Sequence, residues 1–239
     1  MSTSTKGKPV ASIDRIIGLG FVLLLFTACS DSTTSPTPVA TTLSLSSGGA
    51  QTGTVAAALA TPVVVHVADQ SGNSLSNALV TFAPNPTSGS VSSVDATTDV
   101  NGNAQVVWTL GTIAGTDTLV ATIGTVSTTI VATATPGAAA AISIVAGNDQ
   151  TAAAGSTLGT ALSVKVTDAW GNAVANATVQ WSDDAGGSFA ASTTVTDANG
   201  IAQVAYTLGS NAGGVDDVTA AVVVNGTPMV SSAFTEDAM

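Results

Sequence analysis

The sequence predicts an all-β protein, two β-sandwiches in tandem behind a leader segment and a flexible tether. Three observations predict it. Val, Thr, Ser, Ala and Gly dominate a chain that is 45 % hydrophobic and only 8 % charged, a composition suited to pleated surfaces and too apolar for disorder. Apolar and polar residues alternate in short runs bounded by Gly, Asn and Asp. One segment is also written twice: TDVNGNAQVVWTLG (98–111) and TDANGIAQVAYTLG (196–209) agree at ten of fourteen positions.

The first element, residues 1–28, reads as a secretory signal. Lys6, Lys8 and Arg15 precede the apolar run IIGLGFVLLLF (16–26), and the small residues Thr27 and Ala28 follow it. The run is too short to span a membrane comfortably. FTAC (26–29) resembles the lipobox of bacterial lipoproteins, which usually has Leu where this chain has Phe26. The resemblance implies cleavage between Ala28 and Cys29 and lipidation of Cys29, so that the membrane is a partner through the lipid. Cys29 is the only cysteine, so it has no partner for an internal disulfide. Ser30 resembles the sorting signal for the outer membrane, which implies a cell-envelope protein, surface-exposed or facing the periplasm. Loss of residues 1–28 removes three cations and Asp14, taking the net charge from −11 to −13 and leaving Lys165 as the only Lys or Arg. Such a surface repels nucleic acid.

Residues 29–39 hold Ser, Thr and Pro with almost nothing to bury, a tether reaching at most about 36 Å at roughly 3.3 Å per residue. Two domains follow, 40–135 and 136–239. VVVHVADQSGNSLSNALVTF (63–82) is echoed by LSVKVTDAWGNAVANATVQW (162–181), and ATTLSLSSGGAQT (40–52) by AAISIVAGNDQT (140–151). Asp69 and Asp168 stand 99 residues apart, Gly102 and Gly200 98, and Asp117 and Asp216 again 99, so the slips fall between strands. In the first domain the alternation predicts strands near 42–46, 63–68, 78–83, 93–98, 103–110, 117–123 and 127–134. It turns Val63, Val65 and Val67 inward and His66 outward, and puts Ala104, Val106, Trp108 and Leu110 on one face, as it does Ala202, Val204, Tyr206 and Leu208. Phe82 and Trp181 share one place on the third strand, where immunoglobulin-type sandwiches keep a buried aromatic.

The frame D-x-x-G-N, then V-x-F/W, then T-D-x-N-G-x-A-x-V-x-W/Y-T-L-G resembles bacterial immunoglobulin-like domains of the invasin and intimin type. It covers nearly all of 40–236, twice. The resemblance implies two tandem immunoglobulin-like β-sandwiches serving as a stalk, a spacer or an adhesion module with a protein or glycan partner at the cell surface. No membrane β-barrel or lectin-like head accompanies the repeats, so the stalk role is the part that carries over.

The candidate site residues are few. His66 is the only histidine, and the repeat puts Lys165 in its place, as expected of a solvated strand side chain. No nucleophile–base pair or glycine-rich phosphate loop can be assembled, so the expectation is no enzyme, no catalytic residue, no cofactor and no small-molecule substrate. Alternating strand direction gathers Asp168 and Asp197 at the domain junction, opposite Asp117. Three carboxylates there could hold Ca²⁺; the favoured reading is turn capping, because Asp69 and Asp99 occupy the same places in the first domain. Trp170, whose twin is Ser71, is expected to wedge against the first domain near Pro84–Pro86 or Gly111–Gly115. Asp183, Asp184, Asp216 and Asp217 are expected at the far tip, either as solvated loop charge or as a surface for a cation, a glycan or a basic partner.

Overall fold

The computed structural model describes residues 37–239. The expected signal segment, the Ala28–Cys29 cleavage site and nearly all of the tether lie outside the described residues.

Short β-rich runs separated by Gly, Asn and Asp turns fold into ten strands per domain. The first domain has β1 (Ala40–Ser47), β2 (Gln51–Thr54), β3 (Val63–Asp69), β4 (Leu79–Pro84), β5 (Ser90–Val91), β6 (Asp95–Thr97), β7 (Asn103–Val106), β8 (Trp108–Thr109), β9 (Gly115–Ile123) and β10 (Val126–Thr135). The second repeats them in order as β11 (Ala141–Ala146), β12 (Thr151–Ala152), β13 (Leu162–Thr167), β14 (Thr178–Asp183), β15 (Ser188–Phe189), β16 (Thr193–Val195), β17 (Ile201–Val204), β18 (Tyr206–Thr207), β19 (Val215–Val224) and β20 (Thr227–Ala238). Each domain sets a three-stranded sheet (β1-β3-β7; β11-β13-β17) against a five-stranded one (β2-β10-β9-β4-β6; β12-β20-β19-β14-β16).

The inward residues of both sheets make the core, as the alternation predicts. Val63, Val65, Val67, Phe82, Ala104, Val106, Trp108 and Leu110 are buried in one cluster. Leu162, Val164, Val166, Trp181, Ala202, Val204, Tyr206 and Leu208 are buried in the other. His66 and Lys165 lie on the opposite face of their strands, half-buried.

The structure differs from the alternation pattern in two places. β2 pairs parallel to β10 across Ala132↔Gln51 through Thr135↔Thr54, although QTGT has no apolar signature. Its hold comes from Gln51, whose side-chain amide donates to the carbonyls of Gly48 and Thr61 (2.8 Å each) and accepts from the Thr61 N–H. The continuous strand expected over 103–110 is two strands. β7 joins β3, while β8 pairs with β5, because the Val107 N–H is taken by the Ser92 hydroxyl at 3.0 Å.

Candidate functional sites at the domain junction and the distal end

The Asp-x-x-Gly turn occurs four times with one geometry. In each, an aspartate oxygen accepts the N–H groups two and four residues on: Ser71 and Asn73 for Asp69, Asn101 and Asn103 for Asp99, Trp170 and Asn172 for Asp168, Asn199 and Ile201 for Asp197, all at 2.8–2.9 Å. The residue at the third place is always glycine with positive φ, Gly72, Gly102, Gly171 and Gly200 at 76–86°. That is turn chemistry: the carboxylate replaces ladder partners that a tight connection cannot supply. The donors hold three of these acids below the ordinary aspartate value. The Asn73 N–H leads at Asp69 and the Ile201 N–H at Asp197, while at Asp168 burial pulls upward and is outweighed by the Asn172 side chain and the N–H groups of Gly137, Asn172 and Trp170.

One of the four turns has been extended into a junction. Asp168 is 2 % exposed and its second oxygen accepts the N–H of Gly137, in the linker, and the side-chain amide of Asn172, both at 2.9 Å. Asn172 then reaches across to the first domain. Its amide nitrogen donates to the Thr112 carbonyl at 2.8 Å, and its oxygen accepts the Ala114 N–H at 2.9 Å. Trp170 is 52 % exposed, with its ring beside Gly137, and the interdomain hydrogen bonds come from Asn172 rather than from the tryptophan expected to wedge there. Asp117 is buried and accepts the Gly111 N–H at 2.7 Å, closing the loop that Asn172 touches. Asp197 is exposed and bonds only within its own turn and Asn199. Among the described residues no three His, Cys, Asp or Glu side chains stand close enough to hold a metal ion.

At the distal end of the second domain two of the four aspartates, Asp183 and Asp216, meet at Tyr206. The phenol lies 2.9 Å from Asp183 Oδ2 and 3.0 Å from Asp216 Oδ2. Asp183 also accepts the Gly187 N–H and Asp216 the Gly209 N–H. Asp216 is 2 % exposed, so it is not part of the solvent-facing tip expected from the sequence; it repeats the turn-closing role of Asp117. Asp184 and Asp217 are exposed, and Asp184 accepts the Asp217 N–H at 3.2 Å. Burial and the two acids push the Tyr206 phenol well above its usual range, so it keeps its proton.

Sequence reasoning missed Glu236. It faces Asp216 across one rung of the β19–β20 ladder and is fully buried. One oxygen accepts the Gln150 N–H at 2.8 Å; the other has no hydrogen-bond partner. Burial first, then the charges of Asp149, Asp237 and Asp216, push its carboxyl up to about 7 against the opposing pull of the Gln150 N–H. The repeat alone does not announce it: the pairing of β12 with β20, which sets Gln150 beside Glu236 as Gln51 lies beside Ala132 in the first domain, is visible only in the fold.

Solved structures match this arrangement over most of its length. InvD of Yersinia pseudotuberculosis is similar at 19 % identity and a TM-score of 0.52, over 83 % of this chain and 57 % of that one. The fold is that of tandem invasin- and intimin-type immunoglobulin-like domains. The FdeC adhesin of Escherichia coli matches at 19 % identity and 0.49, over 84 % of this chain and 66 % of that one. Invasin, titled a bacterial integrin-binding protein, matches at 21 % and 0.41, over 83 % and 39 %. At these identities the likeness is one of fold, and the chain spans little more than half of InvD. No protein-family model matches the sequence, and no curated protein does.

Proposed function

We propose that this chain is a lipid-anchored, non-catalytic cell-envelope protein whose two immunoglobulin-like domains act together as a stiff arm, a spacer or an interaction module held away from the membrane by the Ser/Thr/Pro tether. The observation that carries the reading is the junction. A linker tied to Asp168, and an asparagine that bonds both partners of a loop in the preceding domain, restrain hinge motion that a plain linker would allow. The fold shared with InvD supports an arm built of stacked sandwiches, and FTAC (26–29) with Ser30 supports the anchor at Cys29 and an outer-membrane address.

The anchor is tested by growing cells with a labelled fatty acid and fractionating them. Wild-type chain carries the label and leaves the membrane fraction only with detergent, whereas Cys29→Ser is unlabelled. An unlabelled wild type, or a Cys29→Ser chain that still carries the label, refutes the anchor.

A further inference from the structure

The two domains share one design, but at the end where Asp117 and Asp216 lie the second departs from the first in one direction. Pro84 at the end of β4 gives way to Asp183, Trp108 of β8 to Tyr206, and the buried Ala132 of β10 to Glu236. In the first domain the Trp108 indole donates to the Ser88 carbonyl, and the place matched by Glu236 is a methyl group in the core. The second domain has instead brought Asp183 and Asp216 to the Tyr206 phenol and set Glu236 opposite Asp216 on the ladder.

Two of those carboxyls are costly to charge together. Paired residues of an antiparallel ladder point to the same face with their Cβ atoms about 5 Å apart, and like charges there repel. Asp216 and Glu236 are such a pair, 2 % and 0 % exposed, where little water screens them. Asp216 accepts the Gly209 N–H and shares the single Tyr206 hydroxyl proton with Asp183. Glu236 has the Gln150 N–H alone, and its other oxygen is buried without a donor. The remaining charged groups acting on it, Asp149 from the β11–β12 turn and Asp237 from its own strand, are also acids, and Asp183 of β14 stands behind Tyr206. The proton therefore resides on Glu236.

What this residue holds is a strand closure. Around it, β20 pairs with β12 at Thr151↔Asp237 and Ala152↔Ala238, and the Ala238 carbonyl and N–H bond to Gly213 and Gly214. We propose that Glu236 is a proton-dependent latch for the distal end of the second domain, seated while neutral and loosening β20 and β12 when it ionises.

Glu236 is the only glutamate in the chain, so one isotope label reports it alone. The experiment uses the full chain with ¹³C-labelled glutamate, following the side-chain carboxyl resonance and the amide protection of Thr151, Asp237 and Ala238 against pH. The resonance is expected to titrate near pH 7 rather than 4.5. Protection, corrected for intrinsic exchange, is expected to fall by up to about tenfold per pH unit between those two values and then level off. Glu236→Gln removes that fall, and so does Glu236→Ala, which restores the first domain's residue. A resonance titrating in the ordinary glutamate range overturns the proposal. So does a wild-type protection profile that either variant reproduces. Calcium added above pH 7 leaves protection unchanged; recovery with calcium would show that a metal ion, not a proton, closes the latch.

Discussion

Asn172 and Asn73 are the same residue in the two repeats, in the same turn, with different work. Asn73 reaches no further than Asp69, at 3.4 Å, while Asn172 bonds Asp168, Thr112 and Ala114. Asn172→Ala should lower stability by about 1–2 kcal/mol, the net worth of two or three such bonds, and Asn73→Ala by less than about 0.5 kcal/mol, read from urea midpoints. The acids divide as clearly by the direction of their shifts. Asp168 and Asp197 are held low, so their contribution is present above the aspartate value of 3.8 and disappears as pH falls through their folded values. Glu236 is held high, so its contribution is complete below 4.5 and disappears as pH rises through about 7. The second domain should therefore be most stable in mild acid, and Glu236→Gln should flatten the alkaline limb of a denaturant-midpoint profile while leaving the acid limb. The turn aspartates were legible in the sequence because a recurring Asp-x-x-Gly spacing encodes a local backbone shape. The burial of Asp216 and Glu236 was not, because it depends on which strand crosses opposite them and not on their neighbours in the chain.

At the scale of elements, alternation exposed the strands that bury a patterned face and concealed β2 and β5. β3, β4, β9 and β10 bury a face long enough for period-two patterning, and the inward residues read from the sequence are the core residues of the fold. β5 has two residues and β2 has polar or small side chains throughout, so neither presents a pattern to read. β2 depends on a side chain in place of burial. Gln51 ties it to Gly48 and Thr61, and Gln150 repeats that with Gly147 and Thr160. Gln51→Ala leaves the Gly48 and Thr61 carbonyls without that donor and should cost about 1–3 kcal/mol. Urea unfolding would show the loss in the first domain, and Gln150→Ala should reproduce it in the second.

For the whole molecule, duplication explains why two domains, each without a disulfide in the described residues, share one design, and the departures from duplication show where each end has its own task. Asn172 bridges at the junction, and Glu236 with Tyr206 and Asp183 marks the distal end. The tandem architecture was legible because the repeat is spelled out in the chain. The bridge was not, since Asn172 has an identical twin and only the neighbouring loop of the first domain gives it partners. A stiff arm is the claim on which the functional reading depends, and a distance distribution between the domains tests it most directly. Spin labels at Thr129→Cys and Ser231→Cys, placed in a Cys29→Ser chain, should give one narrow peak that broadens when Asn172→Ala is added. A wild-type distribution already broad, and unchanged by Asn172→Ala, would contradict it.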